Sequence, residues 1–227
     1  AHHMSGGQIT VPVVFHALHG IRFGAAAQHA QSPQSMLWNA PGLEIALPSC
    51  PADAKGLMRT AIKSDNPTIF IDHQKLTRLT GVVPDGPYDI PFGVADIKRD
   101  GRDVTIVAAS LQVVHALEAA DLLAKDGIEA EIVDLRSLVP LDEAAILKSV
   151  EKTGRLVVVD ESTPRCSIAS EIISVVAEKG MGLLRAPPVR VNRLPVHVPS
   201  NQDLEDFLGP NTGRIVEAVK RVCGRAR

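Results

Sequence analysis

From residue 103 onward, continuous β-branched runs alternate with segments striped at helical spacing, and few folds accommodate that pattern. Val104 to Ala108 (VTIVA) precedes Leu111 to Lys125, where Val113, Leu117, Ala120 and Ala124 recur on one face, and Gly127 stops that helix. A second run, Ala130 to Leu135 (AEIVDL), leads through Pro140 to a helix whose N-cap candidate is Asp142 and whose end is Gly154. Leu156 to Val159 is a third run, followed by a helix over about 167–179 with Ile168, Ile172, Val175 and Val176 on one side. Val189 to Val191 and a last helix carrying Ile215, Val219 and Val222 complete the series. Strands that are apolar throughout, joined by helical crossovers, imply a parallel sheet covered on both faces, hence an α/β domain.

The front of the chain repeats the theme less fully. Strands are expected at Val11 to Phe15, Leu43 to Leu47 and Thr68 to Ile71, with a helix over about 52–64. Three strands and two helices are few for a doubly wound sheet, so this unit reads as incomplete. The turn-rich segment from Gly81 to Pro87 (GVVPDGP) reads as the linker, giving two units, 1–85 and 86–227.

Composition narrows the function. With 24 basic and 26 acidic residues the net charge is −2, and no long run of one sign occurs, so nucleic acid is not an expected partner. No stretch approaches the roughly 18 apolar residues of a membrane span, and the start has no export signal, which points to a cytoplasmic protein. Three cysteines without paired spacing suggest neither disulfides nor zinc. The dinucleotide and P-loop glycine motifs and the G-x-S-x-G elbow are all missing, which disfavours a self-contained nucleotide enzyme or an α/β-hydrolase.

Three places could carry chemistry. A small-residue run, Gly24 to Ala27, directly precedes Gln28 and His29; imidazole exchanges protons near neutral pH, so His29 is the acid/base candidate, with a hydrogen-bonded structural histidine at a helix start as the alternative. His16, His19, His73, His115 and His197 share no metal spacing and read as structural or surface groups. Asp160 and Glu161 end a strand where open α/β sheets place functional groups, although helix capping explains the pair as well. The turn from Ala61 to Pro67 (AIKSDNP) offers carbonyl, hydroxyl and amide oxygens to a cation, or is an ordinary helix end.

Several blocks, in order, resemble one family. They are MSGGQ (4–8), VPVV (11–14), AQHAQS (27–32), PGL (41–43), DAKGL (53–57), DNP (65–67), IEAEIVDLRSLVPLD (128–142) and KTGRL (152–156). Together they resemble the β subunit of the E1 component of 2-oxo acid dehydrogenase complexes, over essentially the whole chain. The resemblance implies part of a thiamine diphosphate pyrimidine-binding domain followed by a transketolase C-terminal-type domain. It implies an α2β2 heterotetramer in which the α subunit holds the diphosphate and Mg2+, oxidative decarboxylation of a 2-oxo acid, and acyl transfer to the lipoyl group of an E2 acyltransferase that docks on the assembly. In that family His29 matches the active-site histidine, Gln28 lies beside the cofactor, and Ala61, Ile62, Ser64 and Asn66, with Val13, match a potassium-binding turn.

The resemblance also implies a further N-terminal half-domain, with the glutamate that contacts the aminopyrimidine, before the segment seen here. Ala1 to Met4 reads equally as a tag remnant or as native sequence. Ser64 stands where many relatives have an acidic residue, Val139 where arginine is frequent, and HALH (16–19) where pyruvate-specific members are rich in Gly and Pro, so the 2-oxo acid is left open. A module for dimerisation and E2 docking without chemistry of its own is the alternative function.

Overall fold

The computed structural model describes residues 2–224. In chain order the elements are β1 Val14–His19, α1 Ala26–His29, α2 Gln34–Trp38, β2 Glu44–Ala46, α3 Pro51–Lys63 and β3 Thr68–His73, then a 3-10 turn at Gln74–Arg78. The second part holds β4 Asp96–Arg99, β5 Val104–Ala108, α4 Leu111–Lys125, β6 Ala130–Asp134, β7 Ser137–Val139, α5 Glu143–Thr153, β8 Leu156–Asp160, α6 Ile168–Gly180, β9 Val189–Asn192, α7 Gln202–Leu208 and α8 Thr212–Val222.

Two sheets result, ordered β1-β3-β2-β7 and β4-β6-β5-β8-β9. Each is parallel except for one edge strand: β7 runs antiparallel to β2, and β4 antiparallel to β6. The expected parallel α/β architecture is therefore present, with an antiparallel strand closing one edge of each sheet. The first sheet takes β7 from the second part of the sequence, because β2 would otherwise present an unpaired edge.

Local chemistry sets the helix ends. Asp142 accepts the Ala145 N–H at 3.0 Å to cap α5, and Gly154, at φ 70°, ends it with a bond from its N–H to the Val150 carbonyl. Ser167 caps α6 by accepting the Ser170 N–H. β1 begins at Val14 rather than Val11, since Pro12 has no N–H to give a ladder and pairing with β3 starts at Val14 opposite Thr68. On α4 the buried stripe runs through Val113, Ala116, Ala120 and Leu123; Ala124 faces out.

The cores show why a short front sheet is stable. One face packs Phe70 and Ala46 against Leu57 and Ala61 of α3, with Ile90 and Phe92, just after the linker, outside them. A Cβ at Gly56 would stand 2.5 Å from Ile90, so glycine is what lets the segment after the linker lie along α3. The other face, with Ile45, Leu47, Ile69 and Ile71, shares one core with Val107, Val133, Leu138 and the α5 and α6 residues Ile146, Ile172 and Val176. The second unit thus supplies the cover that the front unit lacks. On its far side, α4 and α8 cover the larger sheet around Ile106, Ile132 and Val219.

Leu57 is fully buried, so Leu57→Ala should lower the unfolding free energy by about 2–5 kcal/mol, read from the urea midpoint. A loss below about 1 kcal/mol would contradict the packing described for α3.

A polar network crosses the same boundary. Asp53 of α3 bonds Lys98 at 2.6 Å and Arg136 at 2.8 Å, both of which also reach Asp96 at 2.8 Å. Ser49 donates to the fully buried Asp134 at 2.5 Å. Burial pushes the Asp134 carboxyl up to about 6 despite that hydroxyl and Lys98. Burial also opposes the charges on Lys98 and Asp53, but their mutual bond wins, raising the ammonium pKa and lowering the carboxyl.

Candidate active site

The C-terminal ends of four strands converge where the two sheets meet. β1 ends at His19, β3 at His73, β5 runs into Ser110, and β8 ends at Asp160, with Glu161 next. Glu161, only 4% exposed, is the hub. One of its carboxylate oxygens accepts the Ile21 N–H; the other accepts His73 Nε2–H at 2.9 Å and Gln112 Nε2–H at 3.0 Å. His73 Nδ1 accepts the Lys75 N–H at 3.1 Å, which places the ring proton on Nε2, facing the carboxylate.

Electrostatics follow from this arrangement. Burial alone would raise the Glu161 carboxyl, but His73, then His19 and the Ile21 N–H, outweigh it and hold it at about 2. His19 is pushed down to about 4, chiefly by burial and then by His73, and is uncharged at neutral pH. Its Nε2 lies 3.3 Å from Ser110 Oγ, while its Nδ1 and the Oε1 of Gln34, a residue that lines the same cavity of about 10 Å³, have no partner among the described residues. That is room for about one water.

Glu161 acts on the segment that carries His29. Gly20, at φ 94°, turns the chain out of β1; a Cβ there would fall 2.0 Å from His73 Nε2 and 2.8 Å from Glu161, so only glycine fits. The next residue, Ile21, is held by Glu161, and Gly24 N–H donates to Glu205 Oε2 at 3.0 Å. Glu205 belongs to α7 and is 1% exposed. Two buried carboxylates of the second unit therefore grip the backbone just before α1. Ile21 and Ala30 pack with Val198 and Leu208 beneath it.

Gln28 and His29 lie at the end of that one-turn helix, both exposed, and neither side chain has a hydrogen-bond partner among the described residues. His29 is thus at a helix end rather than a start, outside any core, on a clamped segment. The glycine, Gly20, and the acidic pair at the end of β8 were the signals available in sequence for this clamp. Helix capping and a functional placement divide this pair: Ser167 gives α6 its side-chain cap, Asp160 accepts the Ser162 N–H in its own turn and also faces the Ile168 and Ala169 N–H groups at the start of α6, and Glu161 reaches across to the first sheet. Among the five histidines read as structural or surface, His19 and His73 are buried and central to this cluster, while His16 pairs with Asp72 at the exposed face of β1.

The turn after α3 comes together with Val13 at the opposite end of β3. Val13 O accepts the Thr68 N–H, and Val11 N–H donates to Asp65 O. Ala61 O accepts the Ser64 N–H, and Ser64 Oγ accepts the Asn66 N–H. Glu44 of β2, which sequence reasoning missed, accepts from Asn66 Nδ2 at 3.2 Å and from Thr68 Oγ1 at 2.8 Å. Carbonyls retain a second lone pair, so the donor set remains oxygen-rich with one carboxylate beside it. Ile62 has a largely exposed side chain, at 68%.

Comparison with known proteins gives this geometry its class. Residues 1–80 match the transketolase pyrimidine-binding domain and residues 93–215 the transketolase C-terminal domain. The chain is 49% identical to the acetoin:2,6-dichlorophenolindophenol oxidoreductase β subunit of Cupriavidus necator and 46% identical to that of Bacillus subtilis. These matches cover 96% and 98% of this chain and 65% of each relative. It is 41% identical to the pyruvate dehydrogenase E1 component β subunit of Rickettsia felis, over 98% of this chain and 68% of that one. A solved structure described as a split gene transketolase, inactive β4 tetramer, superposes with a TM-score of 0.78 at 25% identity, over 96% of this chain and 69% of that one. The chain belongs to the transketolase-type family of E1 β subunits, and it spans somewhat less than two thirds of the length of the two acetoin relatives.

Proposed function

We propose that the chain serves in the β subunit of a thiamine diphosphate-dependent E1 enzyme, acting with an α subunit in an α2β2 heterotetramer. The assembly would oxidatively decarboxylate a 2-oxo acid and pass the acyl group to the lipoyl group of an E2 acyltransferase docked on it. The observation that carries the reading is the match of both domains, in order, to relatives named as E1 and acetoin oxidoreductase β subunits. We keep the division into residues 1–85, part of the pyrimidine-binding domain, and 86–227, the C-terminal-type domain.

The residues present fit one end of the cofactor. Gln28 and His29, polar, exposed and unpartnered, suit its pyrimidine side; the sequence has no Gly-Asp-Gly…Asn motif for the diphosphate and Mg2+, which fall to the α subunit. When bound, thiamine diphosphate supplies the electron sink for decarboxylation. In this reading His29 delivers or accepts a proton during transfer to the lipoyl group, Gln28 orients the ring beside it, and Glu161 and Glu205 hold the backbone that fixes where both point.

Calorimetry tests the division of labour: the chain alone should give no saturable heat with micromolar thiamine diphosphate and Mg2+, and should give it once an E1 α subunit is added. Tight binding by the chain alone would contradict it. The alternative, an interaction module without chemistry, is favoured by the structural neighbour's description as an inactive β4 tetramer. It predicts self-association and no cofactor heat even with the α subunit.

The oxygens of Val13, Ala61, Ile62, Ser64 and Asn66 would hold potassium, with Glu44 supplying the charge that Ser64 lacks. Potassium should then raise the melting temperature more than sodium at equal ionic strength, since a ligand of the native state stabilises it by mass action. Identical melting curves would remove the site.

A further inference from the structure

An open cleft of about 950 Å³ lies between residues 31–39, just after His29, and residues 162–174, with Arg193 in its wall. Arg193 is 8% exposed. Among the described residues its Nε and Nη1 have no hydrogen-bond partner, and its remaining nitrogen reaches only Gln31 Oε1, at 3.4 Å. Ser32 and Ser35, from the facing segment, line the same cleft, and their hydroxyls are also buried and without a partner among the described residues. A guanidinium taken out of water with most of its donors unused is costly, as are buried hydroxyls without partners.

Protein carboxylates do not meet this need. Asp160 and Glu161 lie near enough to favour the Arg193 charge against the opposing effect of burial, but neither forms an ion pair with it among the described residues. Both oxygens of Glu161 are engaged by Ile21, His73 and Gln112. Glu171 and Arg165 also line the cleft, one charge of each sign. What the three side chains lack is a group that only accepts hydrogen bonds and carries negative charge.

We propose that this cleft is an oxyanion-binding site in which Arg193, Ser32 and Ser35 receive the phosphate or carboxylate group of a small ligand. It rests on these donors alone and is independent of the role given to His29.

The test is titration of the chain with inorganic phosphate and, separately, with acetate, at ionic strength fixed by chloride, following the Arg193 15Nε resonance and the melting temperature. A saturable shift with a Kd of about 1 mM or tighter is expected for one of the two, with a rise in melting temperature, and the tighter anion identifies the group. Arg193→Gln should abolish saturation and Ser32→Ala/Ser35→Ala should weaken it about tenfold. Arg99→Gln, which removes an arginine paired with the exposed Asp121, should bind as the parent does. Non-saturating shifts with both anions, or equal loss in Arg99→Gln and Arg193→Gln, would overturn the proposal. If Arg193→Gln does not fold, the double serine variant decides: undiminished affinity there overturns it.

Discussion

Glu161→Ala should lower the stability of the chain by about 3–5 kcal/mol, the range for removing one partner from a buried charged network. Ile21 N–H, His73 Nε2–H and Gln112 Nε2–H would each lose their acceptor in a place that water scarcely enters. For a chain of this length, that corresponds to a fall in melting temperature of about 6–20 °C. The pKa gives a similar size: holding a carboxyl at about 2 rather than 4.5 amounts to roughly 3 kcal/mol.

The pH dependence identifies the residue. Because its folded pKa is depressed, Glu161 favours the fold fully above about pH 4.5, and that contribution is lost as the pH falls toward 2. His19, depressed to about 4, also costs stability as the pH drops from 6.5 to 4, because the unfolded imidazole protonates first. Asp134, raised to about 6, acts the other way between 3.8 and 6, where the folded protein keeps the proton. These two largely offset each other, so Glu161 contributes most of the acid limb, with Asp53, whose carboxyl is also lowered, adding to it. Urea midpoints measured from pH 7 to pH 2 should show that limb in the parent and a flatter one in Glu161→Gln. Parallel profiles would place the acid sensitivity elsewhere.

The second unit was legible because its strands are buried on both faces and its helices have strong end signals: Asp142, Gly154 and the Ile215 to Val222 stripe stand where the pattern puts them. The strands missed, β4 and β7, are short edge strands whose existence depends on a neighbour's free edge, which local pattern does not encode. Cover for one face of the short front sheet was not legible either, since it comes from residues far along the chain, such as Val133 and Leu138, and the reading of the front unit as incomplete agrees with a chain that spans 65% of the two acetoin relatives. At the site, His29 stood out by residue type and context. The Glu161 clamp did not, because an acidic pair at a strand end gives no sign of the histidine and the glycine turn that it meets across the domain boundary.

The central claim is that His29 works at a cofactor shared with another subunit, and one variant tests it directly. His29 is exposed and unbonded, so His29→Ala should leave the melting temperature within about 1–2 °C of the parent. In enzyme assembled with an E1 α subunit, turnover with a lipoyl acceptor should fall about 10²–10⁴-fold, the usual loss for a positioned acid/base group. Decarboxylation coupled to an artificial electron acceptor should fall less, because that route bypasses transfer to the lipoyl group. Both activities and the melting temperature are to be measured on one preparation of the variant. Unchanged lipoyl-dependent turnover per folded molecule would contradict the account.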